Sequence, residues 1–332
     1  MFIVKSYALA VFFCFITMLC WGSWGNTQKL AAKTWRYELF YWDYVIGMVL
    51  FALLIAFTMG SIGSEGRPFL QDIAQMSASS FWSILLGAVI FNASNILLSA
   101  STSIAGLAVA FPLGVGISLV LGTVVNYIGA PKGNPVLLFI GIALITIAII
   151  CNGMASGKVE QKKEGARKGI ILAVVAGTLM AFFYRFVARA MDLDNFASPA
   201  PGMVTPYTAI VVFSLGVLLS NFIFNTLVMR KPFVGEPVSY SEYFKGNFKT
   251  HLVGMLGGAI WCLGTAFSYI ASGRAGAAIS YALGQAAPMI AAIWGVFIWK
   301  EFKGSKKEVY RLLALMFLFF IAGLAFIILS GN

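Results

Sequence analysis

Long apolar runs separated by short polar stretches organise the chain. Ten of them can cross a hydrocarbon core of about 30 Å as helices: residues 7–28, 39–59, 81–101, 106–128, 135–153, 169–190, 205–228, 252–271, 275–298 and 310–330. Almost no loop separates the third run from the fourth, or the eighth from the ninth. Each of these pairs is therefore expected to fold as a tight helical hairpin. No stretch is left for a soluble domain, so the expected class is an all-α integral membrane protein with ten transmembrane helices.

The two hairpins are versions of one segment. Residues 87–116 align without a gap on residues 257–286, an offset of 170 positions. Gly87 falls on Gly257, Gly106 on Gly276, Phe111 on Tyr281, Leu113 on Leu283 and Gly114 on Gly284. A polar stretch, Ser156–Lys168, splits the sequence into a first half (1–155), a basic linker (156–168) and a second half (169–332). Five spans on each side is an odd number, so the halves enter the membrane in opposite senses. The expected architecture is two inverted five-helix repeats with a substrate site between them. Pro112 and Pro288 are expected to interrupt the fourth and ninth spans near mid-membrane, since proline removes a helical hydrogen bond.

Composition agrees with this reading. Of the 332 residues 60% are hydrophobic and 11% charged, against about 25% charged in an ordinary soluble domain. The first apolar run flows into Trp21-Gly22-Ser23-Trp24 with no small-residue cleavage site, so it reads as a retained helix rather than a secretion signal. Cys14, Cys20, Cys151 and Cys262 lie inside apolar spans without CxxC spacing and read as small core residues.

The net charge of +11 would suit nucleic acid, but its placement points to a membrane. Seventeen Lys and Arg lie in the odd-numbered connections and five in the even-numbered connections and termini. By the positive-inside rule the odd connections, including the basic linker, belong in the cytoplasm of a cell-membrane (inner-membrane) protein, with both termini outside.

Polar groups within the spans are the candidate chemistry, because an ionised side chain at a helix centre costs about 2.5–3.5 kcal/mol. Asp43, one turn into the second span, is a candidate proton site; the alternative is an ion pair with Lys29, Lys33 or Arg36. Glu38, five residues earlier, is expected at the interface and is a second proton-coupling candidate. Arg185 in the sixth span could hold a carbonyl-rich or anionic solute with its planar fork, or pair with Asp192 or Asp194. Asn92 and Asn95 share a helix face. Asn26 and Asn126 are expected at the inner ends of the first and fourth spans, and Gln285 and Tyr281 lie on the partner of the fourth. Amides supply paired donors and acceptors, and aromatic faces such as Trp21 stack on rings, so these residues are substrate-binding candidates. Interhelical bonding is the alternative for the amides, and membrane-interface belts for the other Trp residues. The sole His251 reads as interfacial. No phosphate-cradling loop, nucleophile triad or metal-ligand cluster is visible, so neither a cofactor nor a metal is expected.

Tyr41-Trp42-Asp43-Tyr44, followed by Ala56-Phe57-Thr58-Met59-Gly60-Ser61-Ile62-Gly63, resembles the second-span signature of the ureide permeases. Gly122-Thr123-Val124-Val125-Asn126-Tyr127 is similar to their GTxxNY segment. The ten-span plan also resembles the bacterial glucose/ribose porters and rhamnose–proton symporters of the drug/metabolite transporter superfamily. This resemblance implies proton-coupled uptake of a small neutral solute, a ureide or nucleobase such as allantoin or uracil, or a monosaccharide. The central linker is shorter than the cytoplasmic loop expected of the plant permeases. An exporter of metabolites or drugs on the same fold is the alternative. A channel or a membrane-embedded enzyme fits less well, since no polar stripe repeats and no acid–base set converges. The partners expected are a small-molecule substrate, protons and the lipid bilayer, with a homodimer as an option and nucleic acid excluded.

Overall fold

A computed structural model describes residues 1–159 and 166–331, so Lys162 and Lys163 of the linker lie outside the described residues. The described residues are helical throughout: α1 (Tyr7–Ser23), α2 (Gly25–Ala31), α3 (Tyr37–Phe57), α4 (Phe69–Ala74), α5 (Ala78–Ala105), α6 (Leu107–Gly129), α7 (Pro135–Gly157), α8 (Ala166–Ala190), α9 (Pro206–Arg230), α10 (Tyr240–Phe244), α11 (Phe248–Ala275), α12 (Ala277–Gln285), α13 (Pro288–Ile293), a π-helical turn (Trp294–Ile298) and α14 (Lys307–Leu329). They form ten candidate membrane spans, as the apolar runs predict. Helices suit a bilayer because every backbone polar group is satisfied within the segment.

Polar residues set the helix starts. Ser77 caps α5, Asn134 caps α7 through Val136 N and Leu137 N, and Asn247 caps α11, each replacing a hydrogen bond the first turn cannot make internally. Asp72, fully buried, accepts from Thr205 N (2.8 Å) and Oγ1 (2.9 Å) at the head of α9 and pairs with Arg67 (2.9 Å). It ties the loop after α3 to the seventh span.

The hairpins turn on one residue each. Gly106 (φ 90°, ψ 151°) joins α5 to α6, and Gly276 (φ 83°, ψ 157°) joins α11 to α12. The two positions aligned by the 170-residue offset thus share one backbone conformation, which only glycine adopts freely. Gly106 lies at the basic end of the bundle, where Ala105 touches Gly169. Gly276 lies at the opposite end against Lys132.

Helix contacts exchange between the halves in the same way. The third span (α5) packs on the sixth (α8), and the eighth (α11) on the first (α1). The second packs on the seventh, the fourth on the ninth and the fifth on the tenth. Glycines let these backbones meet where hydrophobicity supplies no drive between helices. A methyl group on Gly258 would collide with the Tyr44 carbonyl, and one on Gly141 would meet Gly323 O at 2.7 Å. All four cysteines are buried and free.

Two expectations about these elements need correction. Pro112 lies in the second turn of α6, near the basic end rather than at mid-membrane, and α6 continues through it. Pro288, by contrast, does follow a break, opening α13 after the non-helical Ala286–Ala287. Asn126 closes α6 at the end opposite Asn26, because the fourth span runs antiparallel to the first and the adjoining Asn134 N donates to Ser330 O. Residues near both termini lie at that same opposite end: Tyr7 donates to Ile328 O and Met1 N to Glu65 O.

Candidate functional site: a neutral aromatic cavity and a buried carboxylate

The ninth span is irregular at Ala286–Ala287, where the hydrogen bonds shorten to Ala286 N–Leu283 O and Ala287 N–Gly284 O, whereas the first stays helical through Trp24 (φ −58°, ψ −34°). Irregular backbone persists at membrane depth where it lines a cavity. Trp24 and Ala287 line one cavity between the helices. Its walls are aromatic. Trp261 lies 4.4 Å from Phe91 between ring centroids and stacks on Trp21 at 6.1 Å with an interplanar angle of 12°. Trp24, Phe111 and Phe183 complete the aromatic lining, and no lining residue is charged.

Two amides supply polarity from facing helices. Asn95 donates to Tyr41 Oη (3.2 Å) and Gln285 donates to Ser118 Oγ (3.2 Å). The Tyr44 hydroxyl also approaches Asn95, and the Tyr281 hydroxyl Gln285. These atoms form a sparse donor–acceptor set in an apolar pocket, suited to orienting a small neutral solute. Trp21 is buried in the lining as expected, its indole N–H held by Thr265 Oγ1 (3.0 Å). Asn92 is fully engaged instead: it accepts from Tyr41 and donates to Ser220 Oγ (2.9 Å) and Val217 O (3.2 Å).

Buried tyrosines close the cavity away from the basic end. Tyr281 bonds Ser118 and Met180 O, Tyr184 bonds Ser268, and Tyr269 packs against Tyr184 at 5.3 Å. Arg185 lies outside the lining, its guanidinium against Gly129. Asn26 faces a second cavity nearer the basic end.

Asp43 also lies outside the central lining. It is fully buried against Gly254 and accepts hydrogen bonds from Tyr243 Oη (2.6 Å) and Trp35 Nε1 (3.3 Å); His251 Nδ1 lies at 2.8 Å. The cations expected beside it are engaged elsewhere, Lys29 with Glu301 and Arg36 with Glu38. Glu38 itself, in the first turn of α3, is fully buried in the protein, and its backbone carbonyl accepts from Asn225. Burial, with the adjacent Asp43 carboxylate, pushes the Tyr243 phenol well above its usual range, so it remains a donor at any physiological pH. Sequence reasoning missed Tyr243, His251 and Trp35 as partners of Asp43. The signal available was depth: His251 opens the eighth span and Asp43 sits one turn into the second, both at the basic end.

Ten candidate spans around an uncharged cavity define a multispanning membrane protein. The chain belongs to the ureide permease family, whose model matches residues 40–167 and 155–330. It is 23% identical to ureide permease 1 of Arabidopsis thaliana over 388 aligned positions, covering 100% of this chain and 99% of that protein. Identity to ureide permease 2 of the same plant is 24% at the same coverage. The glucose uptake protein GlcU of Bacillus subtilis is 24% identical over 63% of this chain and 64% of its own length. One solved crystal structure superposes with a TM-score of 0.61 at 12% identity over 96% of both chains, which shows a shared fold.

Proposed function

We propose that the chain takes up a small, polar, uncharged solute, a ureide, nucleobase or monosaccharide, by alternating access coupled to protons. The observation that carries this reading is the central cavity. It is ring-lined, contains two amides, and has no charge with which to hold an ion. The halves are read as inverted repeats that exchange conformations about this cavity. The basic end is assigned to the cytoplasm. Asp43, buried beside His251, is assigned the coupling proton.

The test is uptake of labelled allantoin, uracil, glucose and ribose into proteoliposomes, with and without an imposed pH gradient. Accumulation of one of them only with the gradient is expected; indifference to the gradient for every transported solute would sink the coupling. Gln285→Leu and Asn95→Leu are each expected to raise the KM of the transported solute by about tenfold, the effect of leaving one buried polar group unpaired. An unchanged KM in both variants would remove these amides from the site.

A further inference from the structure

A second, narrow cavity lies between the central one and the basic end. The two adjoin along the same elements. Phe111 lines the first and its neighbour Pro112 the second; Ala287 lines the first and Ala291, one turn on, the second.

One wall of this cavity is a built polar surface. Asn152 and Ser156 are four apart on α7 and so share a face. Asn152 is 5% exposed and Ser156 1%. Among the described residues the Ser156 hydroxyl has no hydrogen-bond partner. Buried polar groups are nearly always paired, so an unpaired hydroxyl beside an amide on the wall of one cavity offers hydrogen bonds to whatever binds there. The facing wall is Asn26, whose Oδ1 accepts from the Trp299 indole at 2.7 Å.

The side toward solvent is held by a cross-tie. Lys29 on α2 forms an ion pair with Glu301, and its ammonium lies 4.6 Å from the Trp299 ring centroid. Trp294 donates to Ser23 Oγ (2.9 Å). These contacts join the inner end of the first span, Ser23 of α1 and Lys29 of α2, to the π-turn and the residues that follow it. A π-turn inside a helix is a frequent mark of a functional position.

We propose that this cavity is a second binding station for the same neutral polar solute on its way to the cytoplasm, with Asn152 and Ser156 as its hydrogen-bonding wall and the Lys29–Glu301 pair as its door. The proposal rests on the transport reading above, and its test is arranged so that the two can fail separately. In a background lacking the four native cysteines, Ala292→Cys places a thiol in the cavity wall. A membrane-impermeant methanethiosulfonate is then applied from the basic end.

Labelling is expected to be slow with the ion pair intact and about 3- to 5-fold faster with Glu301→Gln, in keeping with a half-exposed pair. The double exchange of Lys29→Glu with Glu301→Lys is expected to restore the slow rate. Allantoin, uracil and glucose at millimolar concentration are then tried as protectants. One of them is expected to slow labelling, and Asn152→Leu is expected to abolish that protection. Ser156→Val serves the same purpose should Asn152→Leu not fold. Equal labelling rates with and without Glu301→Gln would overturn the door. Protection that survives both Asn152→Leu and Ser156→Val, or no protection by the solute that uptake identifies, would overturn the station. The rate comparison needs no solute, so it stands even if all uptake assays are silent.

Discussion

Replacing Asp43 with Asn is expected to abolish accumulation against a gradient while leaving solute exchange across the membrane intact. The side chain keeps its shape and its acceptor oxygen, so the Tyr243 hydrogen bond survives. What is lost is the ability to bind and release a proton in a fully buried position. A carboxylate there is tolerated because Tyr243, Trp35 and His251 all point at it, and charged groups at membrane depth persist where they are paired. His251 is 17% exposed on its side chain and gives the pair contact with the basic end. His251→Gln should accordingly retain transport with a displaced pH profile. The measurement is uptake into proteoliposomes with an imposed pH gradient, set beside counterflow without one. Accumulation by Asp43→Asn equal to the parent's would remove Asp43 from the coupling step.

The second large effect is structural. Gly258→Leu is expected to destabilise the protein by at least the upper part of the roughly 1–3 kcal/mol usual for overpacking, and to lower its melting temperature in detergent. On α11 Gly258 faces the Tyr44 carbonyl of α3, and Gly254, one turn earlier, faces the Asp43 side chain. No rotamer can relieve a clash with a backbone oxygen, so the two helices must separate, and the Asp43 cluster is pulled apart with them. The same change at Gly153, which has open space around it, should leave the melting temperature near the parent value. Equal melting temperatures for both variants would mean that this seam contributes little.

The ten spans are legible in the sequence because membrane burial imposes one strong one-dimensional signal, a run of apolar residues about as long as the bilayer is thick. The hairpins are legible for a different reason. Gly106 and Gly276 recur at the same offset as their surroundings, and the structure gives both nearly the same dihedral angles. The copies differ at Gln285, which stands where the first has Val115, and both residues line the central cavity.

What stays hidden depends on pairing across distant segments. Nothing local separates Asn92, held by Tyr41 and Ser220, from Asn95, which lines the cavity; both are amides on one helix face. The Asp43–His251 contact joins residues 208 apart, and α10, which supplies Tyr243, is a five-residue helix too short to leave a periodic trace. Asn152 and Ser156 sit in an ordinary apolar span, and only the cavity between α6, α7 and α13 makes them notable. Asn126 goes to the wrong end when it is read from its neighbours alone, without the antiparallel course of its span.

Gly106 and Gly276 make the two hairpins intolerant of any side chain, whatever its size. Their dihedral angles lie in a region confined to glycine, and the mirror-image point also falls outside the β region open to side chains. At Gly276 an L-methyl would also press on Lys132 Cβ at 2.9 Å. Alanine at either turn should carry a penalty of about 1–3 kcal/mol, read as a lowered melting temperature in detergent. The fold thus depends, at two points 170 residues apart in sequence and at opposite ends of the bundle, on the one amino acid that has no side chain.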